Sequence, residues 1–205
     1  MKIATGSYSW ILFAAIFAVC FSLFGLANIW FLAPAAIAWI VTIFLLIFFR
    51  DPERKIGNGI VSPADGKVSR IDNPEPGYVR ICIFMNIHNV HVNRAPISGR
   101  VLSVEHIDGK HIPAFDKDSD ANERMIAEME TEIGKIKIVQ IAGAAARRIM
   151  SYITPGEMVE KGERIGMIKL GSRVDLWLPE HKVKLSVSVG QKVRASETTI
   201  AEMLE

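Results

Sequence analysis

From Ile3 to Phe49 the chain carries no Asp, Glu, Lys or Arg. Few arrangements accommodate so long an uncharged run. A signal-peptide core spans roughly 7–15 apolar residues and a single membrane span about 20, so the run is too long for either alone. It predicts two helices, over residues 8–24 and 29–49, with breaks at "GLAN" (Gly25 to Asn28) and "LAP" (Leu32 to Pro34). A buried pair of soluble helices is the competing arrangement, but neither segment has a polar face for water to meet. Lys2 precedes the first helix, and Arg50, Arg54 and Lys55 follow the second. Positive residues at both outer ends favour keeping both ends on the cytoplasmic side. The expected layout is a two-helix transmembrane hairpin, residues 1–49, with a domain of residues 50–205 on the inner face of the cell membrane.

The chain from Arg50 onward has ordinary globular composition and is long enough for one domain with its own core. The formal net charge of +2 gives no electrostatic case for nucleic acid as a partner. Cys20, in the first apolar run, and Cys82, in a strand-like run, suggest no disulfide framework. Short strand patterns broken by Gly and Pro dominate, and one of them recurs. The P-x-x-G-x-V spacing of Pro63, Gly66 and Val68 returns at Pro96, Gly99 and Val101. The G-x-x-V spacing of Gly156 and Val159 returns at Gly190 and Val193. Gly and Pro permit sharp turns, and the following Val begins a strand. Such turns resemble those of biotinyl and lipoyl carrier domains, although none shows the exposed lysine that a carrier modifies. The expected fold is mostly β: a duplicated, barrel-sandwich-like domain. Residues 115–143 predict two strands joined by a turn at Glu132 to Lys135. The acidic residues 116–120 lack the later Gly and Glu of a calcium loop.

The stretch "MIKLGSRVDLWLP" (Met167 to Pro179) reads as a buried strand, yet Gly171 and Ser172 sit in its middle. Glycine weakens a strand and marks a bend or a close backbone approach. "IHNVHV" holds His88 and His91, whose spacing suits a metal pair, a catalytic pair or two core histidines. In an extended strand residues three apart face opposite ways, so a shared ligand would need a turn there. Asp65, in "SPADGKV", reads alone as a turn aspartate. With Ser172 and a histidine it completes a Ser–His–Asp set, in which the histidine takes the serine proton and the carboxylate orients the histidine. "LGSR" is not the G-x-S-x-G elbow of hydrolases.

Read in order, "FFRDPER", "SPADGKV", "IHNVHVNRAP", "NERM" and "LGSRVDLWLP" span nearly the whole chain. Together they resemble the phosphatidylserine decarboxylase proenzymes of the short, archaeal-type class, which share these motifs with the archaetidylserine decarboxylases that act on ether lipids. The resemblance implies self-cleavage between Gly171 and Ser172, giving a large chain of residues 1–171 and a small chain of residues 172–205. Ser172 would become a covalent pyruvoyl group, the cofactor, which forms a Schiff base with the serine head group of a phospholipid substrate in the membrane. His91, oriented by Asp65, is the implied base of maturation, and His88 the implied proton donor after CO2 leaves. No metal is implied. Arg173 stands where many longer members have Ser or Thr, and is either a contact for the lipid phosphate or an exposed strand arginine. Two other classes compete: a membrane-anchored adaptor in which Gly171–Ser172 is only a bend, and a zinc peptidase using His88, His91 and Asp65. The sequence leaves open the linkage of the lipid tails and the oligomeric state.

The charge pattern makes a prediction about topology. Protease added outside intact cells should spare the domain that follows Arg50, and protease added to inside-out membrane vesicles should digest it. Digestion from outside would overturn the assigned orientation.

Overall fold

The computed structural model describes residues 2–109, 121–143, 149–169 and 172–204. The chain divides into two units, Met1–Glu53 and Arg54–Glu205. In the first, β1 (Lys2–Ile3) precedes helices α1 (Tyr8–Ala27) and α2 (Leu32–Phe48), and β2 (Arg50–Asp51) follows them. α1 runs past its expected end at residue 24. The break falls at Asn28, whose side chain accepts the Trp30 N–H at 3.1 Å and starts the 3-10 turn Ile29–Phe31. "LAP" does not break the chain. Pro34 lies in the first turn of α2, where its missing N–H has no intrahelical partner to lose. The helices pack together, with Trp39 Nε1 donating to Ser22 Oγ at 3.2 Å. β1 pairs antiparallel with β2, so the two outer ends of the hairpin meet, and Lys2 sits 2.6 Å from Glu53. That pairing explains why the unit extends to Glu53. Both helical segments are long and apolar enough to cross a membrane, and large side chains such as Leu26 and Trp30 face outward.

The second unit is built from strands. Its first half contains β3 (Ile60–Val61), β4 (Gly66–Glu75), β5 (Tyr78–Met85), β6 (Val92–Arg94), β7 (Gly99–Ile107) and β8 (Arg124–Thr131). Its second half contains β9 (Gly134–Ala142), β10 (Ile149–Ser151), β11 (Met158–Val159), β12 (Arg164–Ile168), β13 (Ser172–Pro179), β14 (Val183–Leu185), β15 (Lys192–Val193) and β16 (Thr199–Met203). β8 and β9 are the two strands expected after residue 115. Their turn holds Glu132 and Ile133, while residues 116–120 lie outside the described residues. A curled, antiparallel sheet runs in the order β11-β7-β8-β9-β13-β5-β4-β15, flanked by the smaller sheets β10-β12-β6 and β14-β16-β3.

The recurring glycines and valines occupy matching places in this order. Val193 of β15 pairs with Gly66 of β4 at one edge, and Val159 of β11 pairs with Gly99 of β7 at the other. The Val68 N–H donates to the Gln191 carbonyl at 2.9 Å, and the Val101 N–H to the Glu157 carbonyl at 2.8 Å. Gly66 and Gly99 are glycines for the same reason. A Cβ on Gly66 would collide with the Phe84 carbonyl, and one on Gly99 with the Glu130 carbonyl.

"MIKLGSRVDLWLP" is not one strand. β12 ends at Ile168 in a small sheet and β13 begins at Ser172 in the large one; Leu170 and Gly171 lie outside the described residues. Two apolar stretches of similar composition merge when read as letters, because strand periodicity does not say which sheet a strand joins. Within β13 the alternation holds. Val174, Leu176 and Leu178 enter the core beside Ile81, Ile83 and Met85 of β5 and Ile136 and Ile138 of β9. Each buried side chain of this size contributes about 1.5–3 kcal/mol.

The backbone approach at Gly99 is open to test. Gly99→Ala should destabilise the protein by about 1–3 kcal/mol through overpacking against the β8 backbone. This would be read as a melting temperature several degrees lower. An unchanged melting temperature would mean that β7 and β8 tolerate more separation than their register implies.

Candidate functional site

Register alone brings three connections together. Met85, the last residue of β5, pairs with Ser172, the first of β13, and Ser172 also pairs with Ala142, the last of β9. Across the gap, β12 pairs with β6 at Met167–Val92 and with β10 at Ile168–Ile149. Three of the connections between the large sheet and this small sheet, residues 86–91, 143–148 and 169–171, therefore begin or end at these paired positions. Both histidines of "IHNVHV" lie in the first of these connections, and the Gly171–Ser172 bond lies at the end of the third.

Ser172 is fully buried on the core face of the sheet. Its Oγ donates to the Met85 sulfur at 3.3 Å, and Asn93 Nδ2 approaches the same sulfur at 3.7 Å. Gln140 Nε2 donates to Asn93 Oδ1 at 2.7 Å, while Gln140 Oε1 is buried with no hydrogen-bond partner. A thioether is a weak acceptor, so it directs the serine hydroxyl without tying it up in a strong hydrogen bond. Sequence reasoning missed Met85, Asn93 and Gln140. Asn93 stands inside a quoted motif, and Gln140 is a polar residue at a core-facing position of β9, so both carried a usable signal.

The two histidines take different environments. The Asn89 N–H donates to the Asn86 carbonyl at 2.9 Å, and the Asn86 N–H to Asn89 Oδ1 at 2.8 Å, closing a tight turn with His88 exposed on it. His91 is buried, and its backbone carbonyl accepts the Ile168 N–H at 3.3 Å. His91 Nδ1 lies 2.9 Å from the Asn89 carbonyl. A carbonyl can only accept, so Nδ1 carries the proton, and in the neutral ring Nε2 is the basic nitrogen. The Asn89 carbonyl thus acts where the carboxylate of a Ser–His–Asp set would orient the ring. Asp65 is engaged elsewhere: Oδ2 with Arg54 at 2.8 Å, and Oδ1 with the Ala195 N–H at 2.9 Å. Among the described residues no group of three or more His, Cys, Asp or Glu could hold a metal ion.

Arg173 is not an exposed strand arginine. It is buried on the outer face of the sheet and grips Asp175 with two hydrogen bonds, at 2.8 and 2.9 Å. Burial pushes the Asp175 carboxyl upward, and Arg173 opposes that shift. Beside them Arg80 forms a second forked pair, with Asp72 at 2.7 and 2.8 Å, and donating to that carboxylate holds its guanidinium above the ordinary range. The Cys82 thiol, two positions along β5, is pushed up to about 12, chiefly by burial. It is therefore no nucleophile near neutral pH. A cavity of about 200 Å³ opens on this face, lined by Arg80, Arg124, Asp175 and Trp177 over an apolar floor.

Comparison with known proteins adds the class. The profile described as phosphatidylserine decarboxylase matches residues 41–201. A phosphatidylserine decarboxylase proenzyme of Streptomyces coelicolor is 55% identical over 157 residues, covering 76% of this chain and 72% of that protein. A protein of Methanococcoides burtonii, provisionally named archaetidylserine decarboxylase proenzyme, is 41% identical over 207 residues, covering 98% of this chain and 96% of that one. A protein of Methanosarcina acetivorans with the same name is 43% identical over 205 residues, covering 97% of this chain and 96% of that one. These relatives are decarboxylases made as proenzymes, and the present chain is an enzyme of that class. It belongs to the phosphatidylserine decarboxylase family.

Proposed function

We propose that the chain decarboxylates a serine-headed phospholipid to the ethanolamine lipid, using a pyruvoyl group made from its own Ser172 by self-cleavage after Gly171. The observation that carries this reading is a buried serine hydroxyl at the first position of a central strand, at the junction where both histidine-bearing and glycine-bearing connections meet. We read residues 1–49 as a membrane hairpin holding the domain of residues 50–205 at the cytoplasmic face. Support comes from two apolar helices whose outer ends pair. We also read the domain as a duplication, supported by the matching edge pairings of Gly66 and Gly99.

In maturation, His91 Nε2 takes the Ser172 hydroxyl proton as Oγ attacks the Gly171 carbonyl carbon. The C–N bond breaks, the Ser172 nitrogen takes a proton, and an ester links the chains. Removal of the Ser172 α-proton then expels Oγ with the Gly171 carboxylate and leaves a dehydroalanine. Water hydrolyses this to a ketone, releasing ammonia. Asp65 supports maturation from the turn before β4, where Arg54 and the Ala195 N–H hold its carboxylate, and it is not the group that orients the His91 ring.

The residues around Ser172 fit a small carbonyl group. Its neighbours are the Met85 thioether and the Asn93 and Gln140 amides, none of which adds to a ketone. When present, a pyruvoyl group supplies an electron sink for the bond to CO2. His88, exposed on its turn, then gives a proton to the substrate Cα, a general-acid task open to a histidine. Arg173 sits beside the chemistry, and its pair with Asp175 holds it on the outer face of β13. Head-group binding measurements on Arg173 variants decide whether its guanidinium also reaches the lipid phosphate.

Two sets of variants test the scheme. Ser172→Ala should remain a single uncut chain on a denaturing gel, while Asp65→Asn and His91→Ala should be cut slowly or not at all. Normal cutting of Ser172→Ala at this bond would end the proposal. His88→Ala should be cut normally and carry the new carbonyl by intact mass, yet release CO2 from serine lipid in mixed micelles about 10²–10⁴-fold more slowly per pyruvoyl group. Wild-type turnover by fully cut His88→Ala would remove His88 from the reaction.

A further inference from the structure

Asp65 has a counterpart in the other half of the domain. Ser98 stands between Pro96 and Gly99 as Asp65 stands between Pro63 and Gly66, and Lys161 follows Val159 as Ala195 follows Val193. The Ala195 N–H donates to Asp65 Oδ1 at 2.9 Å, and the Lys161 N–H donates to Ser98 Oγ at 2.9 Å. The neighbouring bonds match as well: the Ser196 N–H donates to the Ser62 carbonyl and the Gly162 N–H to the Ala95 carbonyl, each at 2.9 Å. One oxygen of Asp65 therefore does what a serine hydroxyl does at the equivalent turn, which is to satisfy a backbone N–H.

The second oxygen has no equivalent in Ser98. Asp65 Oδ2 meets Arg54 Nη2 at 2.8 Å, with both side chains about nine-tenths buried. The other terminal nitrogen of Arg54 reaches Glu197 at 3.1 Å. Burial works to raise the Glu197 carboxyl, but Arg54, with Arg194, holds it below the usual carboxylate range. A guanidinium that meets a buried carboxylate in a charge-assisted hydrogen bond fixes its direction, and here one guanidinium spans two carboxylates. Arg54 is the last residue of "FFRDPER" and the first residue of the second unit.

We infer that Arg54 is the positioning residue of Asp65: its guanidinium fixes the direction of the carboxylate through Oδ2 while Oδ1 holds the turn, and self-cleavage depends on the aspartate being held this way. This rests on the proposed cut. It goes further in joining, through one guanidinium, the segment after the helices, the aspartate of maturation and a glutamate of the small chain. Arg54 acts before the cut and has no duty in turnover afterwards.

The test uses the full-length chain made in the presence of membranes, with the fraction cut followed over time. Arg54→Met should cut more slowly by about tenfold or more. Arg54→Lys, which restores a charge opposite Asp65, should recover to within roughly threefold of wild type, and Glu197→Gln should cut at the wild-type rate. Whatever Arg54→Met protein does mature should release CO2 at the wild-type rate per pyruvoyl group. A residue that only stabilises the fold would make Arg54→Met and Glu197→Gln behave alike, and that result would overturn the inference. So would wild-type cutting by Arg54→Met. Should Arg54→Met fail to fold, Arg54→Gln keeps a donor for Asp65 without the charge, and wild-type cutting by that variant would be equally fatal. A wild-type chain that is never cut would instead remove the self-cleavage reading itself.

Discussion

Strand β13 is hydrogen-bonded along both edges, to β5 from Ser172 to Pro179 and to β9 from Ser172 to Trp177. The rest of the site depends on that constraint. A strand held on both sides cannot slip by one residue without turning Val174, Leu176 and Leu178 out of the core and Arg173 and Asp175 into it. Either exchange would cost several kcal/mol, so the register is fixed and the Ser172 hydroxyl has one direction available. A hydroxyl at the tip of a loop would have to be ordered at each encounter. Here the ordering is done once, by folding.

The outer face of the same strand reinforces this by electrostatics. Arg173 grips Asp175, Arg80 grips Asp72, and Arg80 Nη1 lies 3.8 Å from Asp175 Oδ2, so the four side chains form a continuous chain of alternating charge across β13, β5 and β4. Buried ion pairs rarely add net stability, but they penalise wrong arrangements heavily because a misplaced partner leaves a charge unpaired. The face opposite Ser172 therefore enforces the alignment that the core face uses.

Much of this was legible in the letters, and the limits are physical. The uncharged run announced two helices, and Gly66 and Gly99 announced strands that begin at matching places. The class of enzyme followed from the ordered motifs. The extent of α1 was underestimated, because a glycine and an alanine near a helix end are tolerated when apolar contacts continue. Residues 167–179 looked like one strand because hydrophobic alternation is local, whereas assignment to a sheet is decided by partners far away in sequence. Met85 was invisible for another reason: a methionine on an apolar strand face is ordinary, and only three-dimensional proximity makes its sulfur the acceptor for Ser172 Oγ. Arg173 was misjudged because an arginine in a strand is usually solvated, and nothing in its spacing from Asp175 requires the two to be buried together.

The order of the strands also sets a schedule. The middle of the large sheet needs β13, one of its edges needs β15, and β3 near the start of the domain finds its partner only in β16. All three strands lie in the final stretch of the chain, from Ser172 onward. During synthesis the hairpin helices and the β4–β5 and β7–β8 pairs can form as they emerge, but the sheet has a missing centre until the end. Long-range pairings of this kind close late and slowly. The large sheet thus closes only after the strands from Ser172 onward have been made, and the groups that surround its serine wait for that strand to join them. A truncated chain is left with open strand edges, a substrate for quality control rather than a partly active enzyme.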